Sequence, residues 1–378
     1  MQQVIEINDI RQLEAYRLAW KALLGRTRGA TFFQSLQWLE VYWRHFGQGQ
    51  KLRVLVVIEA GKPTGIVPLV VRTEQRKVGP VRVLTYPLHD WASFYGPIGS
   101  DATITLRAAM RHLRRTARDW DLFEMRWVDN ERVDHRRTEL AMQAAGFAVQ
   151  KSAMTQSGIV DLSGGWEEYW GGLPSHWRTN VHRSAERLAA RGAVKYVRYR
   201  PQGSAYGDDD PRWDLYEACE RVAEQSWQGD WPAGTTRSHD SIRGFLRDAH
   251  GVAVKAGAVD LNLLLVDGRP VAFAYNFHFQ GSVSCLRTGY DRQVAKDGAG
   301  SVLLQRLLQE SVALGDRTVD LGRDCFDGKR HWLSRTQTPY RYTHYPRTVV
   351  RAQALWAGQW LKRRLSSRRA AASNAAVV

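Results

Sequence analysis

Apolar and polar positions alternate along the chain with two periods, close to two in some runs and close to 3.6 in others, which predicts a mixture of strands and helices. Two apolar runs stand out: VLVVIEAGKPTGIVPLVVR at 54–72 and LNLLLVDGRPVAFAYNFHF at 261–279. Each reads as strand, turn, strand. The turns are Gly61-Lys62-Pro63 and Gly268-Arg269-Pro270, where Gly supplies positive φ and Pro fixes its own. They lie about 200 residues apart, far beyond the 20–50 residue period of a solenoid. The spacing points to two copies of one α/β domain.

The order of elements around each hairpin agrees with duplication. In the first half, Gln12–Leu24 and Ser35–Phe46 read as helices, with Ser35 as N-cap. After the hairpin come strand-like runs at Val81–Tyr86 and Ser93–Tyr95. A helix at Ala102–Asp119, a strand at Leu122–Val128, a helix at Thr138–Ala145 and a strand at Phe147–Gln150 follow. In the second half, Ile159–Leu162 reads as a strand, His176–Arg191 as a long basic helix and Lys195–Tyr199 as a strand. Residues 200–211 form a loop by their Pro, Gly and Asp content. Helices at Trp213–Ser226 and Ser238–His250 precede the second hairpin. A strand at Ser282–Thr288, a helix at Ser301–Leu314 and a strand at Thr318–Leu321 close the pattern, and strand–helix–strand implies a partly parallel sheet. The expected domains are 1–152, 153–346 and a basic C-terminal segment, 347–378.

Composition narrows the class. The 378 residues include 44% hydrophobic residues and 15 Trp, which excludes wholesale disorder. No run approaches the roughly 18 apolar residues of a membrane span, and the first residues do not read as a signal peptide. Cys219, Cys285 and Cys325 are odd in number and far apart, against a disulfide framework or a zinc site; a cytoplasmic setting is expected. Net charge is +16, which implies affinity for polyanions. From Arg347 onward there are seven basic residues and no acidic one. Val350, Ala354, Ala357, Leu361 and Leu365 share a helical stripe beside Trp356 and Trp360. That pattern fits either docking on the body, with a frayed end over 366–378, or lying on an anionic membrane surface through 347–365.

Two loops carry candidate chemistry. Tyr290–Leu304 joins a strand to a helix through Gly298-Ala299-Gly300, so free helix N–H groups can face an anion, with Arg292 and Lys296 nearby. It is not a P-loop and lacks the dinucleotide fingerprint. The stretch Asp320–Trp332 is dense in charge and follows the last parallel strand, where α/β sheets place ligands. Arg323 and Lys329 suit an anion, and Asp324 or Asp327 a proton. His278 alternates with Asn276 on a strand. The run Asp208-Asp209-Asp210 reads as solvated loop, and no metal spacing is present.

Phe33-Gln34-Ser35-Leu36-Gln37-Trp38-Leu39, continuing to Tyr42-Trp43-Arg44-His45-Phe46, resembles the opening of the BioF2-like acetyltransferases, which include CelD-type proteins. Asp320-Leu321-Gly322-Arg323-Asp324 through Lys329-Arg330-His331-Trp332 resembles the family's closing motif, and Arg178-Thr179-Asn180 its basic helix. The family is related to the FemABX transferases, which take aminoacyl-tRNA. The resemblance implies an α/β fold of two tandem GNAT-like domains, each a mixed sheet flanked by helices. It implies acyl-CoA as donor, held by Leu286, Arg287 and Thr288 of the strand and by Arg292, Gly298, Ala299, Gly300 and Ser301 of the loop. A strand N–H would hold the oxyanion, with Asp324, Arg323 and Lys329 as catalytic candidates. His89, Asp90, Tyr95, Arg178, Asn180, His278 and Trp332 are expected at the acceptor, an amine on a sugar, amino acid or cell-envelope or exopolysaccharide precursor. Two departures are visible: Arg292 lies farther from Gly298 than in the usual loop, and Gly328 stands where an aromatic is expected. The first half has Tyr86-Pro87-Leu88-His89-Asp90-Trp91 in place of a Gly loop, so it is expected to bind no CoA. The expected activity is that of a GNAT acyltransferase moving groups other than aminoacyl groups. The rival readings are an aminoacyl-tRNA-dependent transferase, whose tRNA phosphates the charge would suit, and a non-catalytic accessory protein of polysaccharide synthesis at the membrane.

Overall fold

The structure, a computed structural model, describes residues 2–87, 94–226, 240–323 and 326–375. The chain begins with β1 (Gln2–Ile7), α1 (Arg17–Gly25) and α2 (Leu36–Phe46). A meander follows, β2 (Lys51–Glu59), β3 (Lys62–Arg76) and β4 (Gly79–Thr85), and then α3 (Ala102–Arg115), β5 (Leu122–Val128), α4 (Arg137–Ala144) and β6 (Gln150–Ala153). The second half opens with β7 (Ser157–Asp161), α5 (Gly165–Gly172), α6 (Ser175–Ala189), β8 (Val194–Tyr199), α7 (Trp213–Gln225) and α8 (Asp240–Lys255). It repeats the meander as β9 (Val259–Val266), β10 (Arg269–Phe279) and β11 (Ser282–Tyr290), then adds α9 (Ala299–Ala313), β12 (Thr318–Arg323) and the short α10 (Phe326–Lys329). The chain ends with β13 (Arg335–Gln337), β14 (Tyr340–His344) and α11 (Val350–Ala375).

Two seven-stranded sheets result, ordered β1-β2-β3-β4-β5-β14-β6 and β8-β9-β10-β11-β12-β7-β13. Aligned this way they are the same sheet twice. In each, four antiparallel strands meet a fifth in parallel, β4 with β5 and β11 with β12, through a helical crossover, α3 or α9. The hairpin turns match as well. Ala60-Gly61 and Asp267-Gly268 both take positive φ at two successive residues, the turn whose twist suits a two-residue hairpin. Pro63 and Pro270 each sit one residue into the second strand, and the register slips just after, at Thr64 and Val271. Pro has no N–H for the ladder, so a bulge beside it is expected.

The strand ends are exchanged. β14 follows β13 of the second sheet yet pairs with β5 and β6 of the first. The domain expected over 153–346 therefore gives its last strand to its neighbour. Composition did not mark β13 or β14, because Arg335–Gln337 and Tyr340–His344 are short and polar. The strand expected at Phe147–Gln150 forms later, at Gln150–Ala153, and Phe94 and Tyr95 are not in a strand.

The largest core is shared by the two halves. Phe32, Phe33 and Trp38 from the first pack on Phe245 and Phe277 from the second, with ring centroids 4.8–5.8 Å apart apart from the Phe32–Trp38 pair. Ser35 caps α2, accepting from the Trp38 N–H at 3.1 Å, and Gln34 ties Thr31 N–H to Gly96 C=O. The aromatic motif at 33–39 thus joins the halves. Under the second sheet, Asp260 is fully buried and accepts from Arg198 (2.7 Å) and Asn276 (2.9 Å), while Arg198 also donates to Ser311 of α9.

α11 departs from its expected stripe. Ala352 and Leu355 pack on Val81, Val83, Leu122 and Tyr345, whereas Val350 and Leu361 face outward. The helix continues to Ala375, past the point where composition suggested fraying. Ala370–Ala372 and the neighbouring Arg residues favour helix. No helix of the described residues is long and apolar enough to cross a membrane.

Candidate functional site

In the second sheet, β11 and β12 pair only from Ser282↔Thr318 to Ser284↔Asp320. Beyond that the two strands cease to pair, and a wedge forms beside Cys285–Thr288 of β11. On its other side, Tyr275 of β10 faces Arg287 while Asn276 faces Cys285. Leu286 is the extra residue of a β-bulge, outside the ladder. The first sheet lacks this feature: β3 and β4 pair without a break from Val70↔Thr85 to Arg76↔Gly79. Its wedge is also filled, because Tyr95 N–H donates to Trp127 C=O at 2.8 Å and the Tyr95 ring packs on Tyr86 at 4.7 Å. Both rings are buried, and burial pushes both phenols up. Tyr95 is therefore a plug rather than an open acceptor contact.

Lys329 reaches into the wedge. Its Nζ donates to Thr288 Oγ1 at 3.3 Å and to Leu321 C=O at 3.5 Å, so one ammonium spans both strands. At the far end, residues 292–297 form a 3-10 turn and Gly298, at φ +77°, leads into α9. A Cβ on Gly298 would stand 2.3 Å from Ser184 Oγ, so α6 packs against this loop. Arg187 donates to Ser184 at 3.0 Å and Arg191 pairs with Asp297 at 2.6 Å. Gly300 and Ser301 are half-buried, Ala299 is buried, and Arg292 and Lys296 are exposed beside them. Strand edge, bulge, helix N-terminus and basic side chains fit a long donor with a phosphorylated end. The helix N-terminus and its dipole favour the anion.

Other expected site residues are placed differently. The Arg287 side chain is buried against Glu220 of α7 and does not face the wedge; only its backbone remains available. Trp332 is fully buried between Trp170 and Trp177, and its C=O accepts from Tyr169 at 2.7 Å. Its bulk belongs to the core. His278 lies on the Asp260 side of the sheet, and burial lowers its pKa to about 4; it is packed, not poised as a base. Arg178 and Asn180 are on α6, with Asn180 exposed and Arg178 partly buried. The Arg323 guanidinium lies 4.3 Å from the Trp127 ring centroid, joining the ends of β12 and β5. His89, Asp90 and Asp324 lie outside the described residues.

A cleft of about 350 Å³ opens where the two halves meet, and sequence reasoning missed it. Arg28, Asp129 and Arg132 line it from the first half, and Arg317, Asp320 and Arg335 from the second. Arg335 pairs with Asp161 at 2.8 Å, and its Nε is buried without a partner among the described residues. Gln337 donates to Asp129 at 2.6 Å, and burial pushes that carboxyl up. Asp320 accepts from Ser157 at 2.5 Å and from Gly322 N–H at 2.9 Å. One signal was available: Asp129 stands just past the carboxyl end of β5 as Asp320 stands near the carboxyl end of β12, where parallel strands place ligands. No group of side chains among the described residues is arranged to hold a metal ion.

Residues 175–340 match the sequence model of the acetyltransferase (GNAT) domain. No curated protein matches the chain. Among solved structures, FemX superposes with a TM-score of 0.61 at 11% identity, covering 94% of this chain and 99% of that one. A conserved protein of unknown function from Bacteroides thetaiotaomicron VPI-5482 gives 0.53 at 14% identity, covering 91% and 100%. A tandem GNAT protein from the clavulanic acid biosynthesis pathway gives 0.48 at 12% identity, covering 92% and 100%. The doubled sheet and the superposition on FemX over nearly the whole chain show a fold of two tandem GNAT-like domains, of which residues 175–340 match the acetyltransferase (GNAT) domain.

Proposed function

We propose that the protein is an N-acyltransferase that takes its acyl group from acyl-CoA at the wedge of the second half and passes it to an amine held at the cleft between the halves. The observation that carries this reading is the parting of β11 from β12 next to the bulge at Leu286, where the corresponding place in the first half holds Tyr95 bonded to Trp127. A donor strand of pantetheine length can add to such an edge, and acyl-CoA supplies a thioester whose carbonyl is open to attack. The backbone around Leu286 then offers an N–H where negative charge develops, an effect of about 3 kcal/mol in comparable sites. Lys329 fixes the width of the wedge and adds positive charge there. α9 and its basic neighbours hold the phosphorylated end. The cleft runs along the same strands, past Ser284 and Asp320, and its arginines suit an acceptor with carboxylate or phosphate groups, such as an amino acid or a cell-envelope precursor. Calorimetric titration with acetyl-CoA and a longer acyl-CoA tests the reading: saturable binding supports it, and no heat with either donor removes it.

A second reading is favoured by one observation. The Gly298 loop is overlaid by α6, whose Arg183 and Arg187 are exposed. That surface suits a donor with a polynucleotide phosphate chain, as in an aminoacyl-tRNA-dependent transferase. Binding of tRNA that falls steeply with salt, beside silence toward acyl-CoA, decides for this reading.

A further inference from the structure

We propose that α11 docks the protein on an anionic lipid surface. This does not rest on the acyltransferase reading. The first turns of α11 are held to the body by Ala352 and Leu355, and by Arg351, which donates to Pro80 C=O at 2.7 Å. At 3.6 residues per turn, the opposite arc carries Val350, Ala354, Ala357 and Leu361, with Trp360 at its margin and Trp356 between it and the Ala352 face. Val350 is 83% exposed, Leu361 54%, Trp356 43% and Trp360 41%. Two tryptophans and two aliphatic side chains exposed along this one helix are costly unless something covers them.

The charge selects the cover. Between Arg347 and Val378 the chain has seven basic residues and no acidic one. Arg364 lies 4.0 Å from the Trp360 ring centroid, so cation and indole share one face. Two copies of so basic a segment repel, which disfavours self-association through it. Nucleic acid would use the cations but leave Val350 and Leu361 unburied. An anionic bilayer satisfies both, with indoles at the headgroup level and basic groups on the phosphates. The geometry leaves the cleft free. β5 begins at Leu122, beneath α11, and ends next to Asp129 in the cleft, so the two features sit at opposite ends of one strand.

Flotation of the full chain with phosphatidylcholine vesicles, with and without about one third phosphatidylglycerol, tests the proposal. Binding at least tenfold tighter to the anionic vesicles is expected. Trp356→Ala with Trp360→Ala should weaken it about tenfold, and Arg363→Gln with Arg364→Gln should remove the preference for anionic lipid. Both variants keep Ala352 and Leu355, so unchanged melting establishes that they fold. Equal binding to both vesicle types, or wild-type binding by the tryptophan variant, overturns the proposal. A dimer dispersed by the tryptophan substitutions, or RNA binding without vesicle binding, overturns it as well.

Discussion

Lys329 Nζ donates to Thr288 Oγ1 across the gap where β11 and β12 have ceased to pair. The two residues lie about 40 positions apart, yet they set the width of the wedge. A long flexible cation is suited to this place. It can hold the strands in register and, on the proposed function, move aside as a ligand edge enters while keeping its charge beside the wedge. Lys329→Met is expected to lower kcat/KM for acyl transfer by about a hundredfold, the scale of one lost electrostatic contact, with little change in melting. Steady-state kinetics beside thermal melts check this. Lys329→Arg should recover part of the activity, and equal losses in stability and activity would indicate a purely structural lysine.

The same wedge shows what the sequence disclosed and what it did not. The twin hairpins were legible because turn chemistry is local: Gly for positive φ, Pro for the bulge, the same in both copies. The place of Lys329 past the end of β12 was legible because it sits in a charged stretch after a parallel strand. The cleft was not. Arg28, Arg132, Arg317 and Arg335 come from four separate segments, and only the pairing of β13 with β7 brings Arg335 to Asp161. The exchange of β14 into the first sheet was equally hidden, since a five-residue polar strand has no period to read. Trp332 misled because an aromatic in a motif reads as a ligand contact, whereas this one fills the second core.

Gly298 serves packing as well as conformation. Its φ of +77° disfavours any side chain, and a Cβ there would overlap Ser184. Gly298→Ala should destabilise the protein by about 2–3 kcal/mol, of which about 1 kcal/mol is backbone strain. Ser184→Gly in the same background removes the overlap and should recover the remainder. Urea titrations of the two variants separate the contributions, and the absence of rescue would place the whole cost in the backbone.

On the proposed function, the cleft arginines serve the acceptor and not the donor. Arg317 is exposed at the rim. Arg317→Glu should raise KM for a carboxylated or phosphorylated acceptor about tenfold and leave donor affinity unchanged. Calorimetry with the donor beside acceptor kinetics checks both. A fall in kcat with KM unchanged would take Arg317 out of acceptor binding.

The ion pair beneath the second sheet is a liability if halved. Asp260 is fully buried, and Arg198, Asn276 and the more distant Arg200 keep its pKa low against the upward push of burial. Arg198→Met leaves that carboxylate without its main counter-charge and should cost about 3–5 kcal/mol. Asp260→Asn added to it should restore more than half. Denaturant unfolding of the single and double variants forms the cycle that tests the pairing.

His250 makes stability depend on pH. It is fully buried between α7 and β10; its Nε2–H donates to Pro211 C=O at 2.6 Å, and its Nδ1 accepts from Tyr275 at 3.0 Å. The ring is therefore held neutral. Burial, aided by the charge of Arg247, lowers its pKa to about 4, although the bond to Pro211 works the other way. In the unfolded chain the group titrates near 6.5. The folded form thus binds its proton less readily than the unfolded form. Its contribution is complete above about pH 6.5 and is lost as pH falls toward 4, at a slope approaching about 1.4 kcal/mol per pH unit. Melts from pH 7.5 to 4.5 should show the decline. His250→Gln, though less stable at neutral pH, should show a flatter profile over that window, because glutamine cannot take up the proton. An unchanged slope in that variant would assign the acid sensitivity to other groups.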